Sequence, residues 1–206
     1  MAAKSETSRQ PQSLDPLGAL LAEIGACRIC EEHLPLGPRP VVAAAANARV
    51  LIAGRAPGPR VHESGVPWDD ASGDRLREWL DIDRAVFYDD SRVAIVPQGF
   101  CYPGKAGGGD LPPRPECAAT WHGRLLAQLR NVKLIIAAGR YAQIFHLGER
   151  NKKTLTETVR AWREFAPAVV PVPHPSWHKN RWLTLNPWFA DKTLTYLRRR
   201  VRRLIG

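Results

Sequence analysis

Arg49-Val50-Leu51-Ile52-Ala53-Gly54-Arg55-Ala56-Pro57-Gly58-Pro59-Arg60 is the stretch from which the fold of this chain can be read. Val50 to Ala53 is a short, wholly apolar run, the pattern of a strand buried on both faces. It stops in a loop whose glycine and prolines interrupt any regular element. A strand covered on both faces implies a parallel sheet with helices on either side, and ligands in such sheets bind at loops leaving the strands' carboxyl ends.

Outward from this point the same grammar repeats. Further strands are expected at 93–96, 132–137 and 168–173, the last at an edge or strand end because of Pro171 and Pro173. Apolar residues at helical spacing predict helices over 14–26, 73–80, 116–131, 139–147, 154–165 and 187–204. The Gly- and Pro-rich segment 97–115 reads as a long loop, a length more typical of function than of simple connection. Chemistry is therefore expected in the loops after the first, second and fourth strands. No internal repeat is visible, and the organisation is a poorly ordered N-terminus, 1–13, followed by a single α/β domain, 14–206.

Composition narrows the class. With 206 residues, 44% of them hydrophobic, the chain can bury one sizeable core. No apolar run approaches the ~18 residues of a membrane span, and MAAKSETSRQPQS lacks the apolar centre of a signal peptide, so a cytosolic protein is expected. The net charge of +10 is unevenly placed: 1–138 carry 16 basic and 16 acidic side chains, 139–206 carry 14 and 4. A basic last third suits a polyanion, since cations that neutralise phosphates gain affinity by releasing counterions.

All four cysteines fall into one set: Cys27 and Cys30 as Cys-x2-Cys, then Cys101 and Cys117. Disulfides are not expected in a reducing compartment. Four thiolates can hold an iron–sulfur cluster or a structural zinc. Zinc ribbons repeat the tight spacing in both halves, whereas the second pair here is wide, which favours a 4Fe-4S cluster while leaving zinc as the alternative.

Three separate stretches resemble the uracil-DNA glycosylase superfamily, closest to its iron–sulfur families 4 and 5. Gly54-Arg55-Ala56-Pro57-Gly58, with Gly65-Val66-Pro67-Trp68 and Ala71-Ser72-Gly73, is similar to the first motif of that superfamily. His174-Pro175-Ser176 is similar to the second, and the four cysteines fall where its cluster ligands fall. The resemblance implies a three-layer α/β/α sandwich with a four-stranded parallel sheet. It also implies a monomeric base-excision repair enzyme that flips uracil out of DNA and hydrolyses its glycosidic bond.

On that resemblance Trp68 would stack on the base, and His174 would donate to its O2 as charge accumulates there. Arg55, Ala56, Pro57, Gly58, Gln98 and Ser176 would line the substrate site. Trp177 or His178 would wedge into the gap left by the flipped base, while Lys179 and Arg181 contact phosphates.

The chain also departs from the family pattern. Family 4 has Glu where this chain has Arg55, and Ala56 lacks the carboxylate or amide that other branches carry. The water-orienting acid is therefore sought in Asp70, which heads Asp70-Ala71-Ser72-Gly73 as in family 5, then in Asp69 and Glu63. Asp70 is equally suited to cap the helix that follows. Pro97 stands where family 4 reads uracil with Asn, so a wider range of deaminated bases is expected. The insertion 104–110 contains no His of the kind that traps uracil covalently in a related branch. The alternatives are a non-catalytic iron–sulfur protein that binds damaged or single-stranded DNA and a small-nucleotide-binding α/β protein.

Overall fold

The computed structural model describes residues 15–206; the expectation for 1–13 lies outside them. In chain order the elements are α1 (Pro16–Gly25), β1 (Val50–Ala53), α2 (Pro59–Ser64), α3 (Ala71–Leu80), α4 (Arg84–Phe87) and β2 (Val93–Ile95). A small hairpin follows, β3 (Lys105–Ala106) and β4 (Gly109–Asp110), then α5 (Pro115–Cys117), which continues through a π-helical turn into α6 (Gly123–Gln128). The remainder is β5 (Leu134–Ala138), α7 (Arg140–Leu147), α8 (Leu155–Arg160), β6 (Val169–Val172), α9 (Asn180–Leu185) and α10 (Thr195–Ile205).

The four long strands form one parallel sheet in the order β2-β1-β5-β6. The α/β architecture expected from the apolar runs is thus present, and β6, with Pro171 in it, is an edge strand as its prolines require. Side chains alternate between two cores. Val50, Ile52, Val93, Ile95, Leu134, Ile136, Val170 and Val172 face α3, α4, α8 and α10. Leu51, Ala53, Ala94 and Ala137 face α1, α6 and α7. The period of two explains why every residue of β1 is apolar: both of its faces are covered. Each fully buried Val, Leu or Ile contributes about 1.5–3 kcal/mol.

The segment 97–115 is not structureless, because Lys105–Ala106 pairs antiparallel with Gly109–Asp110 around Gly107 and Gly108, both at positive φ. Two consecutive residues at positive φ make the turn that matches strand twist in a two-residue hairpin. The predicted helix 154–165 breaks after Arg160 into a 3-10 turn, Trp162–Glu164. Among the described residues no helix is long and apolar enough to cross a membrane.

Candidate functional site

The order of strand addition reverses at β1: β2 is added on one side of it, and β5 and then β6 on the other. A crevice opens at the carboxyl end of such a switch point. Here it is a cleft of about 640 Å³, walled by the loop 54–60, Trp68, Asp70, Pro97, the β3–β4 hairpin, 138–141 and 174–179.

Trp68 is built into this cleft by strain and by the absence of side chains around it. Its backbone sits at φ 57, a left-handed conformation unusual for a bulky residue. A Cβ on Gly54 would lie 2.8 Å from its ring, and one on Gly73 would lie 1.8 Å from its carbonyl oxygen. Gly54 therefore makes room for the indole and Gly73 for the backbone that carries it.

His174 follows β6 and lies 5.5 Å from Trp68 between ring centres, inclined at 31°. Its position is held from beneath. Gly139 N–H and the buried Gln143 amide both donate to the Val172 carbonyl, at 2.9 and 2.8 Å. Arg75 on α3 donates to the Ser176 carbonyl at 2.9 Å. Burial holds the His174 imidazole below its ordinary range, with Asp70 pulling weakly the other way. The ring is thus neutral near pH 7 and can donate one hydrogen bond without carrying charge.

Asp70 has two roles in the geometry. Its Oδ1 accepts from Gly73 N–H at 2.9 Å, capping α3, and the residue also lines the cleft. Asp69, the second acid expected in the site, does not line it: its carboxylate pairs with Arg84 at 2.9 Å, and the hydrogen bond from Arg84 lowers its pKa. Glu63 is exposed on α2 and is also outside the lining.

Ala56, Pro57, Gly58, Ser176, Trp177, His178 and Lys179 all line the cleft. Trp177 is 66% exposed and lies 3.7 Å from His178 between ring centres, inclined at 32°, so the two rings project together at the rim. Arg181 is exposed on α9 but is not part of the wall. Gln98 differs from expectation: it is buried, outside the lining, and its Nε2 has no partner among the described residues. The backbone is responsible. Gln98 and Gly99 N–H donate to the carbonyls of Gly54 and Arg55, at 3.0 and 2.9 Å, and this pairing fixes the loop with Pro97, not Gln98, at the cleft.

Arg55 also lines the cleft, but its guanidinium is engaged there. Its guanidinium donates to the carbonyls of Asp110 and Leu111 and lies 5.5 Å over the Tyr141 ring. It fastens the hairpin to the first motif and is not extended toward a ligand. Lys105, Arg140 and Tyr141 enter the cleft without having been expected there. The signal for the last two was present, since Gly139 directly follows a strand, as Gly54 follows β1, and so stands where ligands bind in such sheets.

The cysteines converge from three elements. Cys27 and Cys30 follow α1, Cys101 follows β2 and Cys117 ends α5, and all four line one small cavity of about 10 Å³, closed by Leu34, Pro38 and Arg114. Burial raises the thiol of Cys101 to about 12 and that of Cys117 to about 11, and Cys30 is raised as well. Among the described residues no three His, Cys, Asp or Glu side chains converge closely enough to hold a single metal ion.

Against known proteins, residues 41–198 match the sequence model of the uracil DNA glycosylase superfamily. A solution NMR structure of a candidate uracil DNA glycosylase from Methanosarcina acetivorans aligns with a TM-score of 0.42 at 14% identity, over 76% of this chain and 94% of that one.

Proposed function

Since the chain belongs to the uracil DNA glycosylase superfamily, we propose that it excises uracil, and related deaminated bases, from DNA and leaves an abasic site. The observation that carries the reading is the facing pair Trp68 and His174 at the topological switch point. A flipped base laid on the Trp68 indole brings its O2 toward the imidazole. Base flipping is needed because the glycosidic bond cannot be reached inside the stack.

The chemistry then divides among few residues. As the C1′–N1 bond breaks, the bonding electron pair moves onto the base, and a neutral His174 donates a hydrogen bond to the oxygen where that charge gathers. The sugar becomes oxocarbenium-like. The Asp70 carboxylate stabilises it and orients the water whose oxygen bonds to C1′, and the water's proton passes to the departing base or to solvent. Trp177 and His178 fill the vacated stack, and Lys179 and Arg140 meet backbone phosphates, which position DNA without reading sequence. With Pro97 apolar and Gln98 buried away, no side-chain amide reads the base edge at this point of the wall. That supports a range of bases broader than uracil alone.

We propose that the four cysteines, which line one cavity, hold a 4Fe-4S cluster, the wide sequence spacing of Cys101 and Cys117 weighing against a zinc ribbon. Such a cluster would supply a cross-link between α1, the loop after β2 and α5, a structural task remote from the base.

The experiment is alkaline cleavage of single- and double-stranded oligonucleotides bearing one uracil, before and after His174→Ala. Cleavage at the uracil by the wild type, reduced by about two to three orders of magnitude in the variant, is the expected result. Absence of cleavage from folded, metal-replete protein on either strand form, with uracil, hypoxanthine and xanthine alike, overturns excision. It would favour the damage-binding reading, to which Asp70 capping α3 and Asp69 pairing with Arg84 already lend weight.

A further inference from the structure

A second basic feature lies away from the cleft and is not used by the proposed chemistry. Trp162, Arg163, Lys192, Tyr196 and Arg199 line an open groove of about 510 Å³ that shares no residue with the cleft. Residues 162–167 enter β6 from the end opposite His174. The four residues of β6, at ~3.3 Å each, place the groove well over 10 Å from the reacting atoms.

The terminal helix sorts its cations by what they touch. Arg198 donates to the carbonyls of Glu78 and Trp79, Arg200 to that of Lys133, and Arg202 pairs with Asp81 at 2.9 Å. These three hold the helix to the body. Lys192, Arg199 and, one turn on, Arg203 are exposed and form no ion pair or side-chain hydrogen bond among the described residues. Across the groove Arg163 lies 4.5 Å over the Trp162 ring, which in turn packs 4.5 Å from Tyr196. Stacking fixes Arg163 while leaving its N–H groups free. The one acid in the wall is Asp191.

We infer that this groove is a second binding site for the phosphodiester backbone of nucleic acid, sequence-independent and separate from the cleft. The inference rests on the glycosylase reading for its choice of nucleic acid over other polyanions. Three unneutralised cations around a shallow aromatic floor suit repeated phosphates at the surface, not a base inserted to depth, because the Trp162 ring is buried. A protein that holds one DNA segment in the cleft and another here would bridge strands or retain a displaced one.

The test uses the full chain with its cleft saturated by a short uracil-containing oligonucleotide. Binding of a second, labelled, uracil-free oligonucleotide is then measured against salt. The expected result is saturable binding that the double variant Lys192→Glu/Arg199→Glu weakens by about tenfold, with the slope of log affinity on log salt shallower by about one to two. Excision of the short substrate should change less than about twofold in the same variant, which also reports that the variant is folded. Unchanged second-strand binding in the variant overturns the site, as does loss of that binding in Lys179→Glu to the same extent. Displacement by polyglutamate as effective as by oligonucleotide overturns the assignment to nucleic acid and points to an acidic protein. If the wild type excises nothing yet still binds the second strand through Lys192 and Arg199, the catalytic reading fails and the groove stands.

Discussion

The Trp68 indole faces the His174 imidazole at 5.5 Å between ring centres, one ring from the α2–α3 connection that follows β1 and the other from the loop after β6. The two strands are not neighbours, since β5 lies between them. A base stacked on Trp68 with its O2 toward His174 would be read from both outer strands of a three-strand span, so small shifts in either loop should register in catalysis.

Gly54→Ala should disturb that pair most directly. The added Cβ meets the Trp68 ring at 2.8 Å, and overpacking of this kind costs about 1–3 kcal/mol. The expected outcome is a folded protein with a raised KM and a modest fall in kcat, because the stacking surface moves while His174 stays. Steady-state kinetics beside thermal unfolding would check it.

Asp70 and Asp69 should separate cleanly. Asn caps a helix about as well as Asp, so Asp70→Asn should preserve stability within about 0.5 kcal/mol while lowering the single-turnover rate at least about tenfold. Asp69→Asn removes only the partner of Arg84, and the excision rate should not change. Equal rates for wild type and Asp70→Asn would restrict Asp70 to its capping role.

Arg55→Ala should loosen the hairpin, which it holds through the carbonyls of Asp110 and Leu111. Limited proteolysis is expected to cut within 104–111 in the variant before it cuts the wild type, with KM rising more than kcat falls. Arg55→Lys should restore part of the protection, as one ammonium can reach only some of the bonds a guanidinium makes.

Acid should act through His122. This ring is fully buried, stacks on Phe100 at 5.2 Å, and leaves both nitrogens unpartnered among the described residues. Burial lowers its pKa to about 4, with the backbone of Pro97 and Gln98 opposing. The folded value lies below the unfolded one of ~6.5, so the unfolded chain binds the proton first. Stability is intact above that value and falls as pH drops toward 4, by about 3 kcal/mol from this group. Urea unfolding across this range should show a shallower loss in His122→Met.

Loss of one cysteine should be felt as a loss of the cross-link. Cys101→Ser is expected to abolish iron content and visible absorbance and to lower the melting midpoint by at least about 4 °C, equivalent to ~1–2 kcal/mol in a domain of this size. Stoichiometric zinc with no iron in the purified wild type would replace the cluster by a single ion.

Much of the fold was legible before any coordinates. The apolar runs at 50–53, 93–95, 134–138 and 169–172 are strands because both their faces are covered, and that requirement is written in consecutive residues. Pro171 put its strand at an edge for an equally local reason, the missing N–H. Trp68, His174 and Trp177, which the family resemblance implied for one site, line one cleft.

What the sequence determined by itself was whatever depends on near neighbours: periodicity, turn chemistry, caps and the type of the four sulfur donors. Only the tertiary structure decided where side chains point. Arg55 turns to the hairpin because two carbonyls there need donors, Asp69 turns to Arg84, and Gln98 is buried because its backbone pairs with the first motif. Arg140 and Tyr141 reach the cleft because β5 lies between β1 and β6. These are contacts between segments far apart in the chain, and their energies depend on a packing that no local window contains.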